Sequence, residues 1–177
     1  MNPDPLQRAD LPTSFISKQV ILHVEDSAVD HEALKRAFHK VGVKVPLFWC
    51  TDAQDALQFL AQLGRYEGNA IPAPRPSLIL LDLNMPAEDG RSFLRQLRAT
   101  PEHSSIPVII FSSSANEKDV EECFKQGANA YLLKPMNSAD LQSLVLAFSN
   151  FWLKHSVLPH SSQKKTGPSD SENTRNQ

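Results

Sequence analysis

Residues 77–90 read SLILLDLNMPAEDG, and this segment constrains the chain most. Residues 77–82 run almost wholly apolar and then stop on Asp82. A short apolar run bounded by turn residues reads as a strand buried on both faces. Asn84, Pro86, Asp89 and Gly90 then break it into a loop. Asp82 is thereby placed at the carboxyl end of a strand, and open parallel α/β sheets bind their ligands outside those ends. An aspartate at such a point can equally cap a turn, so Asp82 has to be judged by the residues that join it.

Other segments end in the same way. Residues 19–24, QVILHV, form a strand that stops on Glu25 and Asp26. Ser27 caps a helix to about residue 41, with Val29, Ala33, Ala37, Phe38 and Val41 on one face, and Gly42 closes it. Residues 46–51 make a second strand, and Asp52 caps a helix carrying Ala56, Leu57, Leu60 and Leu63. The loop 64–76 is long for a helix-to-strand connection. After the strand of Asp82 comes a helix over 91–98. A fourth strand, 106–111, ends on three serines from Ser112. A helix over about 116–126 offers Val120, Cys123 and Phe124 to the core. The strand 130–133 ends on Lys134 and Pro135. Asn137 or Ser138 caps a last helix with Leu141, Leu144, Val145, Phe148, Phe151 and Trp152 on one face.

Five strands alternating with five helices predict an α/β fold. The expected architecture is a doubly wound five-stranded parallel sheet in the flavodoxin-like order 2-1-3-4-5, with helices on both faces. The domain spans 18–158. Residues 1–17, with Pro3, Pro5 and Pro12, read as a flexible arm, and 159–177 as a disordered polar tail. A formal charge of -2 disfavours a nucleic-acid surface. Cys50 and Cys123 lie far apart and form no zinc or disulfide pattern, which suits a reducing cytoplasm. No segment has the make-up of a signal peptide or a membrane span.

In that strand order Glu25, Asp26, Asp82, Ser112 and Lys134 converge on one crevice. Carboxylates so close repel one another. A hard cation such as Mg²⁺, which keeps waters and leaves room for phosphate oxygens, offsets that repulsion. Aspartate can accept a phosphoryl group through its carboxylate, and a lysine and a hydroxyl suit the other phosphoryl oxygens. Each residue has a plainer reading. Glu25 and Asp26 could only cap a helix, Lys134 could be a solvated lysine, and Tyr131 and His23 could simply be packed.

Four pieces together, VEDS at 24–27, LDLNMPAEDG at 81–90, IIFSSSA at 109–115 and GANAYLLKPM at 127–136, resemble the receiver domain of two-component response regulators. The resemblance implies that Asp82 is the phosphoacceptor. It implies a Mg²⁺ site at Glu25, Asp26, Asp82 and the main-chain carbonyl of Asn84, in which Asp26 binds the ion directly and Glu25 assists through water. It makes Ser112 and Lys134 the phosphoryl-binding residues and Tyr131 a rotating switch, and it implies a cis peptide bond between Lys134 and Pro135. Glu25 departs from the aspartate that many members carry there. The acid pair, the 64–76 loop and FWLKHSVLP at 151–159 are similar to single-domain regulators paired with phytochrome-type histidine kinases. The expected function is to accept a phosphoryl group from such a kinase and signal by a change of conformation, with no catalysis beyond self-phosphorylation and dephosphorylation. The alternative is a phosphorylation-independent scaffold. A phosphatase of the haloacid-dehalogenase type is disfavoured, because it needs an acid where Asn84 stands and a nucleophile on the first strand. A homodimer is also expected. Leu146 and Leu153, seven residues apart, fall on a second stripe of the last helix, followed by Val157, Leu158 and Pro159. Fold-back of 153–159 over Leu146 is the competing arrangement.

Overall fold

A computed structural model describes residues 19–68, 73–86 and 89–159. The expected arm 1–17 and the tail beyond Pro159 lie outside the described residues, as does the middle of the 64–76 loop. The elements are β1 (Ile21–Val24), α1 (Ala28–Lys40), β2 (Leu47–Cys50), α2 (Ala53–Ala61), a short 3-10 turn (Gly64–Tyr66), β3 (Leu78–Leu81), α3 (Gly90–Ala99), β4 (Val108–Ser112), α4 (Glu117–Lys125), β5 (Ala130–Leu133) and α5 (Ser138–Phe148). All strand pairs are parallel, in the order β2-β1-β3-β4-β5. The sheet therefore has the expected flavodoxin-like order.

Strand side chains alternate between two cores, as the two-residue strand period requires. Leu22, Val24, Ile79, Leu81, Val108 and Ile110 pack under α2, α3 and α4. Ile21, Leu78, Leu80, Ile109 and Phe111 pack under α1 and α5. Both faces of β1, β3 and β4 are thus covered, which explains their nearly continuous apolar sequence. Each α-helix starts on a side-chain cap: Ser27, Asp52, Asp89, Asn116 and Asn137 accept from main-chain N–H groups of the first turn. No helix among the described residues is long and apolar enough to cross a membrane.

The helix faces depart from expectation in places. Val29 and Phe124 are exposed, while Leu34 and His31 fill the α1 face and Cys123 the α4 face. The largest departure follows α5, where Ser149–His155 continues as a π-helical turn. There Ser156 N–H donates to the carbonyl of Phe151, five residues back. A wider turn rotates each residue less than an α-helix does, so a seven-residue spacing no longer returns to one stripe. Leu146 is 46% exposed, whereas Leu153 is 6% exposed and Leu158 4%. Leu153 and Leu158 belong to the core of Val145 and Phe148. Leu153 is therefore not on the surface stripe expected for it, and Phe151, expected in the core, is exposed.

Candidate functional site

The sheet ladder continues one residue past the strands and fixes the site's main chain. Glu25 N–H donates to the carbonyl of Cys50, Asp82 N–H to that of Val24, and Lys134 N–H to that of Ser112. Two carboxylates and one ammonium thereby leave the same end of the sheet. Gly90 lies against this end, and a Cβ built on it would stand 2.2 Å from the carbonyl oxygen of Asp82.

Lys134 Nζ is the centre of the pocket. It lies 2.7 Å from Glu25 Oε2, 2.8 Å from Asp30 Oδ2 and 2.9 Å from Asp82 Oδ2. The other oxygen of Asp82, Oδ1, accepts from the N–H groups of Leu83 (2.7 Å) and Asn84 (3.3 Å). Glu25 Oε1 accepts from Ser27 N–H, and the Glu25 carbonyl accepts from the Trp49 indole at 2.7 Å. Burial pushes the Glu25 carboxyl up to about 7, against the pull of Lys134. For Lys134, burial alone would favour the neutral amine, but the hydrogen bonds it donates to Asp30, Glu25 and Asp82 outweigh it and hold the ammonium above its usual range. The tight geometry supports a charged lysine between carboxylates.

Carboxylate oxygens of Glu25, Asp26 and Asp82 lie within 4.8 Å of one another. This hard-oxygen set, with Asp26 open to solvent and Glu25 buried, fits Mg²⁺, which accepts few carboxylates and keeps waters. Ser112 is fully buried at the end of β4, and its Oγ lies 3.4 Å from both Asn84 Nδ2 and Ser114 N. Tyr131 stands one step away, its hydroxyl donating to the Ser114 carbonyl at 2.8 Å.

The expected residues Glu25, Asp26, Asp82, Asn84, Ser112 and Lys134 thus meet at one end of the sheet, with Tyr131 behind Ser114. The expected cis bond is absent: every described peptide bond is trans, Lys134–Pro135 included. Lys134 reaches the acids from a trans peptide, so no bend there is needed to aim it. Sequence reasoning passed over Asp30, whose one available signal is its place a helical turn after Asp26. It also missed the ring contacts behind Glu25. His31 stacks on Trp49 with centroids 4.5 Å apart, and His31 Nδ1 lies 3.1 Å from Nδ1 of the fully buried His23.

The family model for the response regulator receiver domain matches residues 21–146. The chain belongs to that family. It is 38% identical over 141 residues to the response regulator Rcp1 of Synechocystis sp., covering 80% of this chain and 93% of that protein. The Mn²⁺-bound structure of Rcp1 superposes with a TM-score of 0.72, covering 80% of this chain and 99% of that one. The phosphorylated cyanobacterial phytochrome response regulator RcpA is 33% identical, with a TM-score of 0.74, covering 81% and 100% of the two chains. A receiver domain of the Pseudomonas aeruginosa sensor histidine kinase PA1611, with a magnesium ion in its active-site cleft, is 27% identical, with a TM-score of 0.56 over 74% and 97% of the chains. The chain is thus a signalling receiver, and the phosphatase alternative falls away.

Proposed function

We propose that this receiver accepts a phosphoryl group on Asp82 from a histidine kinase of the phytochrome type, in a reaction that requires Mg²⁺. The observation that supports it most is the placement of Asp82: one oxygen is held by two main-chain N–H groups and the other by the Lys134 ammonium. The carboxylate is oriented, its charge is balanced, and acids suited to a cation stand beside it. In the transfer, an Asp82 oxygen forms the new bond to phosphorus as the bond to the donor's imidazole nitrogen breaks, and the imidazole keeps the electron pair. Lys134 then donates to a phosphoryl oxygen. Glu25, Asp26, Asp82 and the Asn84 carbonyl would hold Mg²⁺, which would supply the remaining charge neutralisation.

Ser112, whose hydroxyl lies beside Asn84, is the residue that would follow the new phosphoryl group. Its movement would disturb the Ser114 carbonyl that holds Tyr131, which makes Tyr131 the reporter of phosphorylation. Asn84 and Ser114 leave water a polar route to phosphorus, which supports self-catalysed dephosphorylation. The kinase class rests on the likeness to the phytochrome regulator RcpA. A cytoplasmic location follows from that partnership. Exposed Leu133 on β5, Phe124 on α4 and Leu146 on α5 support a homodimer through these elements; Leu153 has no part in it.

The deciding experiment is incubation with acetyl phosphate and Mg²⁺, followed by intact mass, for the wild type and Asp82→Asn. Single labelling of the wild type alone is expected, and equal labelling of Asp82→Asn would reject the assignment. Light scattering of Leu146→Glu tests the dimer face, and an unaffected dimer would place it elsewhere.

A further inference from the structure

An ammonium has three hydrogens, and Lys134 meets three carboxylates, those of Glu25, Asp30 and Asp82. Two of these also belong to the acid cluster with Asp26. Asp30 does not. It projects from the first turn of α1, where its own N–H is bound by the Ser27 hydroxyl at 3.2 Å. The same cap that starts the helix therefore sets the position of its carboxylate. Asp30 also lines a hollow of about 230 Å³ together with Lys134, Ser113 and Met136, so it flanks the side on which the lysine can be reached.

A metal ion at Glu25, Asp26 and Asp82 and the lysine draw on the same two carboxylates, those of Glu25 and Asp82. If Lys134 gave up Glu25 and Asp82 with no other acceptor, a side chain only 13% exposed would be left with unmatched charge and hydrogens. We propose that Asp30 is a positioning residue that keeps the Lys134 ammonium at the mouth of the pocket while Glu25 and Asp82 turn to the metal. The lysine then remains aimed at the site for the phosphoryl oxygens, and metal entry does not require it to be expelled. This inference rests on the reading of Glu25, Asp26 and Asp82 as the Mg²⁺ site.

A carboxylate near a cation site also favours the cation through its charge alone, and the experiment must separate that effect from an action through the lysine. Mg²⁺ affinity is measured calorimetrically for wild type, Asp30→Asn, Lys134→Met and the double variant, with Lys134→Gln used if the methionine variant does not fold. Asp30→Asn is expected to weaken Mg²⁺ binding about tenfold with Lys134 present and less than about twofold without it, since directly paired groups couple and distant charges add. An equal loss in both backgrounds would overturn the proposal. The second readout is the ¹⁵N–¹H resonance of the Lys134 ammonium. It is expected to stay protected from exchange in the Mg²⁺-saturated wild type and to be lost in Mg²⁺-saturated Asp30→Asn. Loss in the saturated wild type would also overturn the proposal. If the wild type binds no Mg²⁺, the metal reading fails, and the metal-free resonance still tests the anchor: faster exchange in Asp30→Asn supports it, and unchanged exchange rejects it.

Discussion

Arg91 Nη2 lies 2.6 Å from Asp119 Oδ1 and joins the first turn of α3 to the first turn of α4. The second oxygen of Asp119 accepts from the Ser114 hydroxyl at 2.7 Å, and the Ser114 carbonyl holds Tyr131. The Ser114 hydrogen bond, with help from Arg91, holds the Asp119 carboxyl below its usual range. These contacts run from beside Gly90, which touches the main chain of Asp82, to the loop after Ser112. Asp119→Asn removes the charge that gathers them. Faster amide exchange over residues 113–116 and freer motion of the Tyr131 ring are expected, both without phosphorylation. Hydrogen exchange and aromatic NMR relaxation check this, and unchanged protection would show that other contacts hold the loop.

The sheet and most of the site were legible in the sequence for one physical reason. Strands covered on both faces must be apolar throughout, so Glu25, Asp82 and Lys134 stand out where β1, β3 and β5 end. Local chemistry also marked the caps Ser27, Asp52 and Asn137, because each acts within a few residues of itself. Asp30 was not legible, since only the tertiary fold brings a surface acid of α1 to a lysine 104 residues away. Leu153 was misread because a constant turn per residue was assumed, and the π-helical turn of 149–155 breaks it. His23 was read as a packed residue and is one, but its pairing with His31 spans strand and helix and leaves no local pattern.

Lys134 neutralises two buried acids, so its removal should be costly only while those acids are charged. Lys134→Ala is expected to lose about 3 kcal/mol in metal-free buffer, the usual scale for removing one partner of a buried pair. Millimolar Mg²⁺ should restore part of it, because a ligand that binds only the folded state adds stability by mass action. Urea melts with and without Mg²⁺ test both halves. A Mg²⁺ shift of equal size in Asp26→Ala would place the ion elsewhere.

Gly90 is required by space and not by backbone angle. A Cβ there would overlap the Asp82 carbonyl at 2.2 Å and crowd Leu83 Cα at 3.0 Å, and neither is the end of a flexible side chain. Gly90→Ala should therefore push α3 from the end of β3. The expected cost is about 2 kcal/mol, the scale of overpacking, with slower labelling of Asp82 by acetyl phosphate. Thermal melts and labelling rates measure the two effects. A variant as stable and as fast as wild type would show that the loop before α3 adjusts freely.

The histidine pair gives the metal-free protein an acid weakness. Burial, then the neighbouring His31 and Lys134, hold His23 well below the usual imidazole range, and burial lowers His31 as well. As pH falls through about 6.5 the unfolded chain takes up these protons first, so the stability is present above that pH and is lost below it. Glu25 acts oppositely. Its carboxyl is raised to about 7, so between there and the ordinary carboxylate range the folded protein binds the proton first and gains stability as pH falls. The two histidines together are expected to outweigh the one carboxyl. His31→Phe keeps a ring against Trp49 and removes one titrating group. Urea melts between pH 7.5 and 5.5 should show a shallower decline for that variant, although it starts less stable because His23 Nδ1 loses its partner.

Leu146 and Leu153 separate packing from surface within one continuous segment. Leu153 is enclosed with Val145, Phe148 and Leu158, while Leu146 faces outward. Truncating a buried leucine removes its transfer energy and leaves a cavity that the surroundings only partly fill. Leu153→Ala is therefore expected to cost about 3 kcal/mol, and Leu146→Ala less than about 0.5 kcal/mol in the monomer. If the segment 149–159 docks as one piece, Leu153→Ala should also raise amide exchange at residues 156–158, beyond the π-helical turn, and leave α5 protected up to Val145. Equal costs at the two positions would mean that Leu153 turns outward in solution and shares the exposed stripe with Leu146 after all.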